Sequence, residues 1–526
     1  MTTQRASNRF RVLLGLLAAI YALWQLLAAE RGVEITRLDL GSTPATLYRP
    51  VGVHSAPMVV IAHGFAGSQQ LMQSFALTFA RNGYLAVTFD FPGHGRNPAP
   101  LSGDIAKVSG ATQRLLAELT AVGRQVRPMG DGRMAVLGHS MASDIVVRYA
   151  EQNPDIVATV AVSMYSPAVT AATPANLLII VGDWEGALKR EALRAVGLAT
   201  APLSAKPGVT YGDFAQQTAR RTSFSPGTEH LSVLFSQDSQ RAALAWLDQA
   251  FGTHRSAPVV INSRGPWILV LLAGLVLLGR PLAAGLPRLA VPALGAGLAW
   301  RKQWWPVGLP MVLTPLVLRV LPTHFLPVLV GDYLSVHFGM YGLLTLSCLR
   351  WRAGQRLSGA EAATSRRVSL ASTTRPIIVS GWLPGVLASL AAVTFTFMAV
   401  VWPVNSFFTN FVPGTTRVLL IAVMLPGTLL YVLADEWLTT GVGAARGAYA
   451  VTKLALVLSL ALAVALDFQR LFFLVLILPM IVLFFLIFGL LSRWTYERTG
   501  NPLVGGVACA LMLAWAIGVT FPIMPG

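Results

Sequence analysis

Charge is what this sequence has least of. Asp, Glu, Lys and Arg together make up 12% of the 526 residues, about half the share a soluble chain carries. That scarcity excludes an ordinary soluble protein and a disordered one. Acids are the scarcer sign, 23 against 40 Lys and Arg, and the net charge is +17. Cysteine is nearly missing: Cys348 and Cys509 both lie inside apolar runs, and two are too few for a disulfide framework or a cysteine metal centre. The basic residues form no stripe interleaved with aromatics, which excludes a nucleic-acid partner. What is abundant is apolar side chain, 54% of the total, and it is unevenly spread. From Trp267 to the end there are 17 Lys and Arg against 6 Asp and Glu, so most of the positive excess lies in that half. Basic loops between apolar segments are the signature of cytoplasmic loops in a membrane protein.

At the N-terminus, Arg5, Arg9 and Arg11 precede an apolar run from Val12 to Ala29. The run is near the shortest length that spans a bilayer and has no clear cleavage site, so residues 1–32 read as an uncleaved anchor rather than a signal peptide.

Residues 33–257 read differently. "VEITRLDL" and "ATLYRP" open as a strand pair, and "PMVVIA", "YLAVTFD", "MAVLG", "IVATVAV" and "NLLIIVG" are short β-rich runs closed by Gly, Asp or polar residues. Helix-like segments such as "SQQLMQSFALTFARN" and "SDIVVRYAEQN" separate them. Buried strands alternating with helices predict an α/β domain, a mostly parallel sheet with helices on both faces.

Residues 258–526 predict an all-α multi-pass membrane domain of about seven or eight helices, with apolar runs near 267–286, 309–330, 333–349, 377–402, 417–434, 449–466, 471–492 and 502–523. Including the anchor, eight or nine spans are expected. The stretch "PLAAGLPRLAVPALGAGLAW" reads either as one more span or as a re-entrant piece. The segment 350–375 holds Arg350, Arg352, Arg356, Arg366, Arg367 and Arg375 against Glu361 alone. If this loop, the N-terminal arginines and the Arg280–Lys302 group are cytoplasmic, the domain at 33–257 lies on the extracytoplasmic side of the cell membrane.

The chemistry starts at "VLGHSMASD". Ser140 sits where the strand "MAVLG" meets a helix, with Gly138 and Ala142 two positions to either side. A serine there is either a helix N-cap or a nucleophile on a tight turn, the G-x-S-x-G pattern with alanine in its last place. Two further stretches precede it: "AHGF", with His63, and "FDFPGHGRN", with Asp90 and His94. The order H-G-F, D-F-P-G-H-G-R, G-H-S-M-A resembles the α/β-hydrolase superfamily of serine esterases, lipases and peptidase-like enzymes, over roughly residues 33–255.

The resemblance implies specific roles. Ser140 would be the nucleophile, and the backbone N–H groups of Phe65 and Met141 would form the oxyanion hole. His63 would shape its loop, and neither Asp90 nor His94 inherits a catalytic role. The acid would follow "NLLIIVG", where Glu185 holds the family's spacing and Asp183 is the alternative of the commoner residue type. The base follows the acid in the superfamily's order, which leaves His230 and His254; the family's histidine loop falls at His230. The implied reaction is acyl transfer through an acyl-enzyme on a small-molecule or lipid ester. No metal or organic cofactor is expected. Membrane lipids are the surroundings, and the sequence fixes no oligomeric state.

Two other functions share these features: an acyltransferase using the same triad, and a transporter or scaffold with an accessory hydrolase-like domain. Asp332 and His337, and the pair Asp435–Glu436 expected at an interface, are the ionisable residues that keep transport open. The piece 199–220 reads either as a surface loop or as an overhang above the site.

Overall fold

A computed structural model describes residues 2–104, 107–200, 204–364, 377–378 and 381–525. The chain divides into two compact units. One comprises Ala18–Leu271 with Pro403–Gly414 and Pro522–Gly526; the other comprises Met1–Leu17, Leu272–Trp402 and Thr415–Phe521.

The first unit is built on an eight-stranded sheet. Helix α1 (Thr2–Ala28) enters it, and β1 (Val33–Leu40) and β2 (Thr43–Pro50) pair antiparallel. Then follow β3 (Met58–Ala62), α2 (Gln73–Arg81), β4 (Leu85–Phe89), α3 (Gln113–Val126), β5 (Met134–His139), α4 (Met141–Gln152) and β6 (Ile156–Val162). The unit closes with β7 (Leu177–Gly182), α5 (Gly186–Gly197), β8 (Arg220–Ser225) and α6 (Gln237–Phe251). The spatial order is β1-β2-β4-β3-β5-β6-β7-β8, and every pairing from β4 to β8 is parallel. A strand's side chains alternate between faces, and β3 shows the consequence. Val59 and Ile61 join a cluster with Phe75 and Phe79 of α2 and Leu244 and Leu247 of α6. Met58, Val60 and Ala62 join one with Leu119 of α3 and Val146 of α4. A strand buried on both faces has no polar positions, which is why these strands are continuous apolar runs. The expected α/β fold with helices on both faces is present.

The piece at 199–220, of which 201–203 lie outside the described residues, packs along the β8 edge. Tyr211 bridges to Arg220, and Phe214 meets Trp246 of α6 edge-on. Two short segments from much later in the chain also belong to this unit. Phe408 stacks on Phe235, Thr409 and Asn410 hydrogen-bond Ser68, and Ile523 exchanges backbone hydrogen bonds with Gly93 and Leu101.

The second unit is helical. Its elements are α7 (Arg264–Ala283), α8 (Trp304–Leu318), α9 (Gly331–Thr364), α10 (Trp382–Thr396), α11 (Trp402–Phe407) and α12 (Thr415–Thr439). They continue with α13 (Ala448–Leu466), α14 (Phe468–Leu471), α15 (Phe473–Thr499) and α16 (Pro502–Thr520). Among the described residues, seven helices are long and apolar enough to cross a membrane, α1 and α7 among them. The chain is thus read as a membrane protein. The expected run at 309–330 is not one span, since α8 ends at Leu318 and carries Pro310 and Pro315. The "PLAAGLP…" stretch is no span either. Beyond the end of α7 it is non-helical: Ala290–Val291 pairs antiparallel with Ile377–Ile378, and later amides bond the ends of α12 and α15, Ala296 to Trp437 and Leu294 to Gly500. Non-helical backbone is tolerated in such a unit where protein satisfies its polar groups. Helices α9 and α12 approach to backbone contact at Gly342 and Gly427, where an added Cβ would lie 2.4 Å and 2.2 Å from backbone of the facing helix. Of the basic loop at 350–375, Arg366, Arg367 and Arg375 lie outside the described residues.

Candidate active site

Parallel strands deliver their C-terminal ends to one edge, so residues just after β3, β4, β5, β6, β7 and β8 meet there whatever their distance in sequence. Ser140 is the residue between β5 and α4. Its backbone has φ +53° and ψ −116°, a conformation outside the regions that L residues favour. Holding a non-glycine there costs about 1–3 kcal/mol. The surroundings impose it: the Ser140 amide donates to Val162 O at 2.9 Å, and its carbonyl accepts from the Ser143 amide and hydroxyl at 2.9 and 2.5 Å. A Cβ at Gly138 would lie 2.3 Å from the carbonyl oxygen of Ala142, so only glycine fits. A serine N-cap accepts a hydrogen bond from the first turn of its helix; the Ser140 side chain makes none.

The Ser140 hydroxyl points to His230. Oγ lies 2.8 Å from His230 Nε2, and His230 Nδ1 lies 2.6 Å from Glu185 Oε1. Glu185 closes the turn after β7, and its other oxygen accepts from Ser163 Oγ and the Gly182 amide, both at 2.7 Å. Burial alone would raise the Glu185 pKa. The hydrogen bonds from His230, Ser163 and the Gly182 amide outweigh burial and hold the carboxyl below its usual range. Asp183 takes no part. It is half-exposed and paired with Lys189 Nζ at 2.6 Å. Of the two acids the sequence offered, the structure brings Glu185 to the histidine. His254 lies past α6 and is exposed.

The loops bordering Ser140 are built from buried polar residues. Gly64 sits against the serine: a Cβ there would come within 3.0 Å of Ser140 Cβ. That places the loop carrying Phe65 beside the nucleophile turn. Met141 is the first residue of α4, so its N–H is one of the four that a helix leaves without an intrahelical acceptor. His63 donates from Nδ1 to Gly64 O at 2.8 Å and accepts the Phe91 amide at Nε2 at 3.1 Å, tying the β3 loop to the β4 loop. Burial lowers its pKa, in keeping with a neutral ring that donates from one nitrogen and accepts at the other. Asp90 accepts from the Gln69 amide and side chain and from the Arg96 amide, at 2.7, 2.9 and 3.1 Å. His94 is buried in the same turn.

Three features of the site were not singled out in the sequence. His139 is buried and donates from Nε2 to the carbonyl of His230 at 2.9 Å, anchoring the histidine loop. Burial first, and then the neighbouring His230, push its pKa well below the ordinary value. Ser163 positions Glu185 from the end of β6. Ser68, two residues beyond Ala66 in the β3 loop, bonds Thr409 Oγ1 and the Asn410 amide, and Asn410 Oδ1 accepts from Arg96 Nε at 3.2 Å. The adjacency of His139 to Ser140 was a readable signal. The contact between positions 68 and 410 has no signal in a single sequence.

A hydroxyl bonded to an imidazole whose other nitrogen is held by a carboxylate is an arrangement that activates the hydroxyl as a nucleophile. Among the described residues, no group of three or more His, Cys, Asp or Glu could hold a metal. Residues 54–212 match the sequence family described as serine aminopeptidase, S33. They form an α/β-hydrolase domain. The matched range includes Ser140 and Glu185 and ends before His230. No curated protein matches the chain. Solved structures similar to the hydrolase domain include a predicted CIB-like hydrolase from Thermoplasma acidophilum, at 14% identity over 41% of this chain and 97% of its own, with a TM-score of 0.32. A dienelactone hydrolase from Anabaena variabilis matches at 16% identity over 41% of this chain and 96% of its own, with a TM-score of 0.28. A membrane phospholipase A described as a bacterial virulence factor matches at 14% identity over 48% of this chain and 96% of its own, with a TM-score of 0.29.

Proposed function

We propose that the chain is a membrane-anchored serine hydrolase that cleaves ester bonds through an acyl-enzyme. Ser140 attacks the carbonyl, His230 takes its proton and returns it to the leaving group, and Glu185 holds the imidazole and stabilises its cation. The amides of Phe65 and Met141 receive the developing oxyanion, and water releases the acyl group. The observation that carries this reading is the unbroken contact from Ser140 Oγ through both nitrogens of His230 to Glu185, at 2.8 and 2.6 Å. A structural serine would have no reason to sit in a strained turn against an imidazole. The substrate we favour is a lipid or other envelope ester, since the domain is tethered beside the bilayer by apolar helices.

The orientation reading also has support. The C-terminal part of α1 from Ala18, the N-terminal part of α7 up to Leu271, the segment 403–414 and the residues that follow α16 from Pro522 fall within the hydrolase unit. Arg280, Arg301, Lys302, Arg446 and Arg498 lie in or near the opposite ends of spans. By the bias of basic residues toward the cytoplasm, the hydrolase domain is extracytoplasmic.

The test is labelling of the detergent-solubilised chain with a fluorophosphonate, followed by turnover of p-nitrophenyl esters from two to sixteen carbons. Labelling is expected on wild type and absent from Ser140→Ala, with ester turnover falling by a factor of roughly 10⁴ or more. Product analysis with an added lipid alcohol separates hydrolysis from acyl transfer, and an aminoacyl anilide separates an esterase from a peptidase. Equal turnover by purified wild type and Ser140→Ala would refute the assignment.

A further inference from the structure

The helical unit buries a row of titratable side chains that ester chemistry does not use. On α9, Tyr333, His337 and Tyr341 follow one another at four-residue spacing, share a face, and are all buried. His337 is fully enclosed. Its Nδ1 lies 3.4 Å from the Tyr333 hydroxyl, and its Nε2 lies 3.1 Å from Ser459 Oγ on α13. Tyr341 stacks over His337 with centroids 6.3 Å apart and meets Tyr431 of α12 edge-on at 5.6 Å. The Tyr431 hydroxyl lies 3.2 Å from Lys453 Nζ, which is 2.5 Å from Asp435 Oδ2. Glu436 follows, also buried. Asp435 and Glu436 lie near the C-terminal end of α12, and helix packing encloses both side chains.

The row starts at an open cavity of about 330 Å³ lined by His324, Asp467, Arg470 and Tyr333. Asp332 flanks it, its carboxylate holding the amides of Tyr333 and Phe325. Ser459 meets His337, and Lys453 meets Asp435, so α13 runs back along α9 and α12 and carries the row from one end of the bundle toward the other. At about 1.5 Å per residue, Tyr333 to Tyr341 covers ~12 Å and Tyr431 to Glu436 ~8 Å. Together that is about two thirds of a ~30 Å hydrocarbon core.

A structural ion pair stapling α12 to α13 is the competing account of Lys453 and Asp435. Two observations favour a conducting role. A buried pair adds little stability over apolar residues of the same size, so packing alone does not call for one. In addition, the Tyr341 hydroxyl is buried without a protein partner. Tyr341 packs edge-on against Tyr431, whose hydroxyl meets the lysine of the pair. A buried hydroxyl left over beside an ion pair is a place where a water can bond.

We propose that the helical unit carries protons along this row, between the cavity at Arg470 and the Asp435–Lys453 pair. Both nitrogens of His337 face hydroxyls, which donate or accept with equal ease. A proton accepted on one nitrogen is matched by one released from the other, and the ring ends neutral in its opposite tautomer. The Tyr341 hydroxyl, which lacks a protein partner, takes the proton onward through water, so passage depends on hydration at that point. On arrival the proton neutralises Asp435 and leaves Lys453 as an unpaired cation, which hastens release of that proton past Glu436 and restores the pair.

The test uses the full chain in phosphatidylcholine vesicles with an internal pH dye and a potassium–valinomycin potential. Wild type is expected to acidify the interior at least tenfold faster than protein-free vesicles. His337→Phe, Tyr341→Phe and the charge-balanced double variant Lys453→Met with Asp435→Asn are expected to return the rate to background. Elution profile and melting midpoint in detergent identify a misfolded variant. If His337→Phe fails that check, His337→Gln, which keeps a donor and an acceptor but does not titrate, decides the matter. A wild-type rate equal to that of empty vesicles, or an unchanged rate in a folded His337 variant, overturns the proposal.

Discussion

The two units bury carboxylates in opposite ways. Glu185 of the hydrolase unit receives hydrogen bonds from an imidazole, a hydroxyl and an amide, each from a different strand end. Asp435 of the helical unit is met by Lys453, a full cation from the neighbouring helix. The sheet edge offers backbone amides and loops at which neutral donors converge. A helix has already used its amides beyond the first turn, so Asp435, far along α12, is met by a charged side chain, whereas Asp332 in the first turn of α9 still finds amides. The hydrolase unit therefore holds its carboxylate with neutral donors and an imidazole, with no fixed cation beside it. The helical unit holds its carboxylate in an ion pair instead.

The sharpest way to break this comparison is to ask whether any nearby carboxylate can replace Glu185. Glu185→Gln is expected to lower kcat by roughly 10³–10⁴, because the amide holds the wrong tautomer and cannot stabilise the imidazolium. Asp183→Asn is expected to change kcat by less than about twofold, its carboxylate being committed to Lys189 at the surface. Kinetics of the two purified variants on one ester decide between them. The sign of the pH effect follows from the hydrogen bonds on Glu185. Its carboxyl is held below the ordinary value of 4.5, so its stabilising contribution is complete above that pH and is lost as pH falls through the lower folded-state value. Wild type and Glu185→Gln should accordingly show a stability difference that is flat from neutrality to about pH 4.5 and shrinks below it.

Much of the hydrolase unit was legible because its signals are local. Apolar runs closed by Gly or Asp marked the strands, and each motif ends a strand, so order along the chain gave order along the sheet edge. Ser140 and His230 could be paired across ninety positions for that reason. The choice between Glu185 and Asp183 could not be made from spacing alone. It is decided by the turn after β7, which points one side chain inward at Ser163 and the other outward at Lys189. The helical unit was less legible. A lone histidine or lysine in an apolar run carries no period that says which helix it faces. Asp435 and Glu436 sit near a helix end, and nothing local in the sequence says that α13 and α16 cover them. Likewise, Pro310 and Pro315 did not reveal that α8 would end at Leu318.

A smaller effect is expected at the serine turn, and it tests whether strain at the sheet edge depends on one backbone position. A Cβ at Gly138 would overlap the carbonyl oxygen of Ala142 at 2.3 Å. Gly138→Ala is expected to destabilise the hydrolase unit by about 3 kcal/mol, the upper end of the usual cost of overpacking. Fluorophosphonate labelling should fall together with stability in denaturant titrations. A variant of wild-type stability that labels at the wild-type rate would show that the turn has room the distances deny.

The smallest expected effect concerns Ser68, where a loop between two spans fastens the loop that carries Phe65. Ser68 is 1% exposed, and its hydroxyl accepts the Asn410 amide at 2.9 Å while bonding Thr409. Ser68→Ala leaves that amide without its partner in a buried place, at a cost of about 1–3 kcal/mol. Most of the cost should appear as lost stability. Because Ser68 closes the turn that begins at Gly64, a fraction near 1 kcal/mol should appear in the transition state as roughly a fivefold fall in kcat with KM little changed. A merely structural serine would lower the melting midpoint and leave kcat of the surviving folded enzyme alone. Measuring kcat per labelled active site, rather than per milligram, separates the two. A fall in kcat on that basis would mean that residues 403–414, though they join two apolar helices, set the geometry of the oxyanion loop.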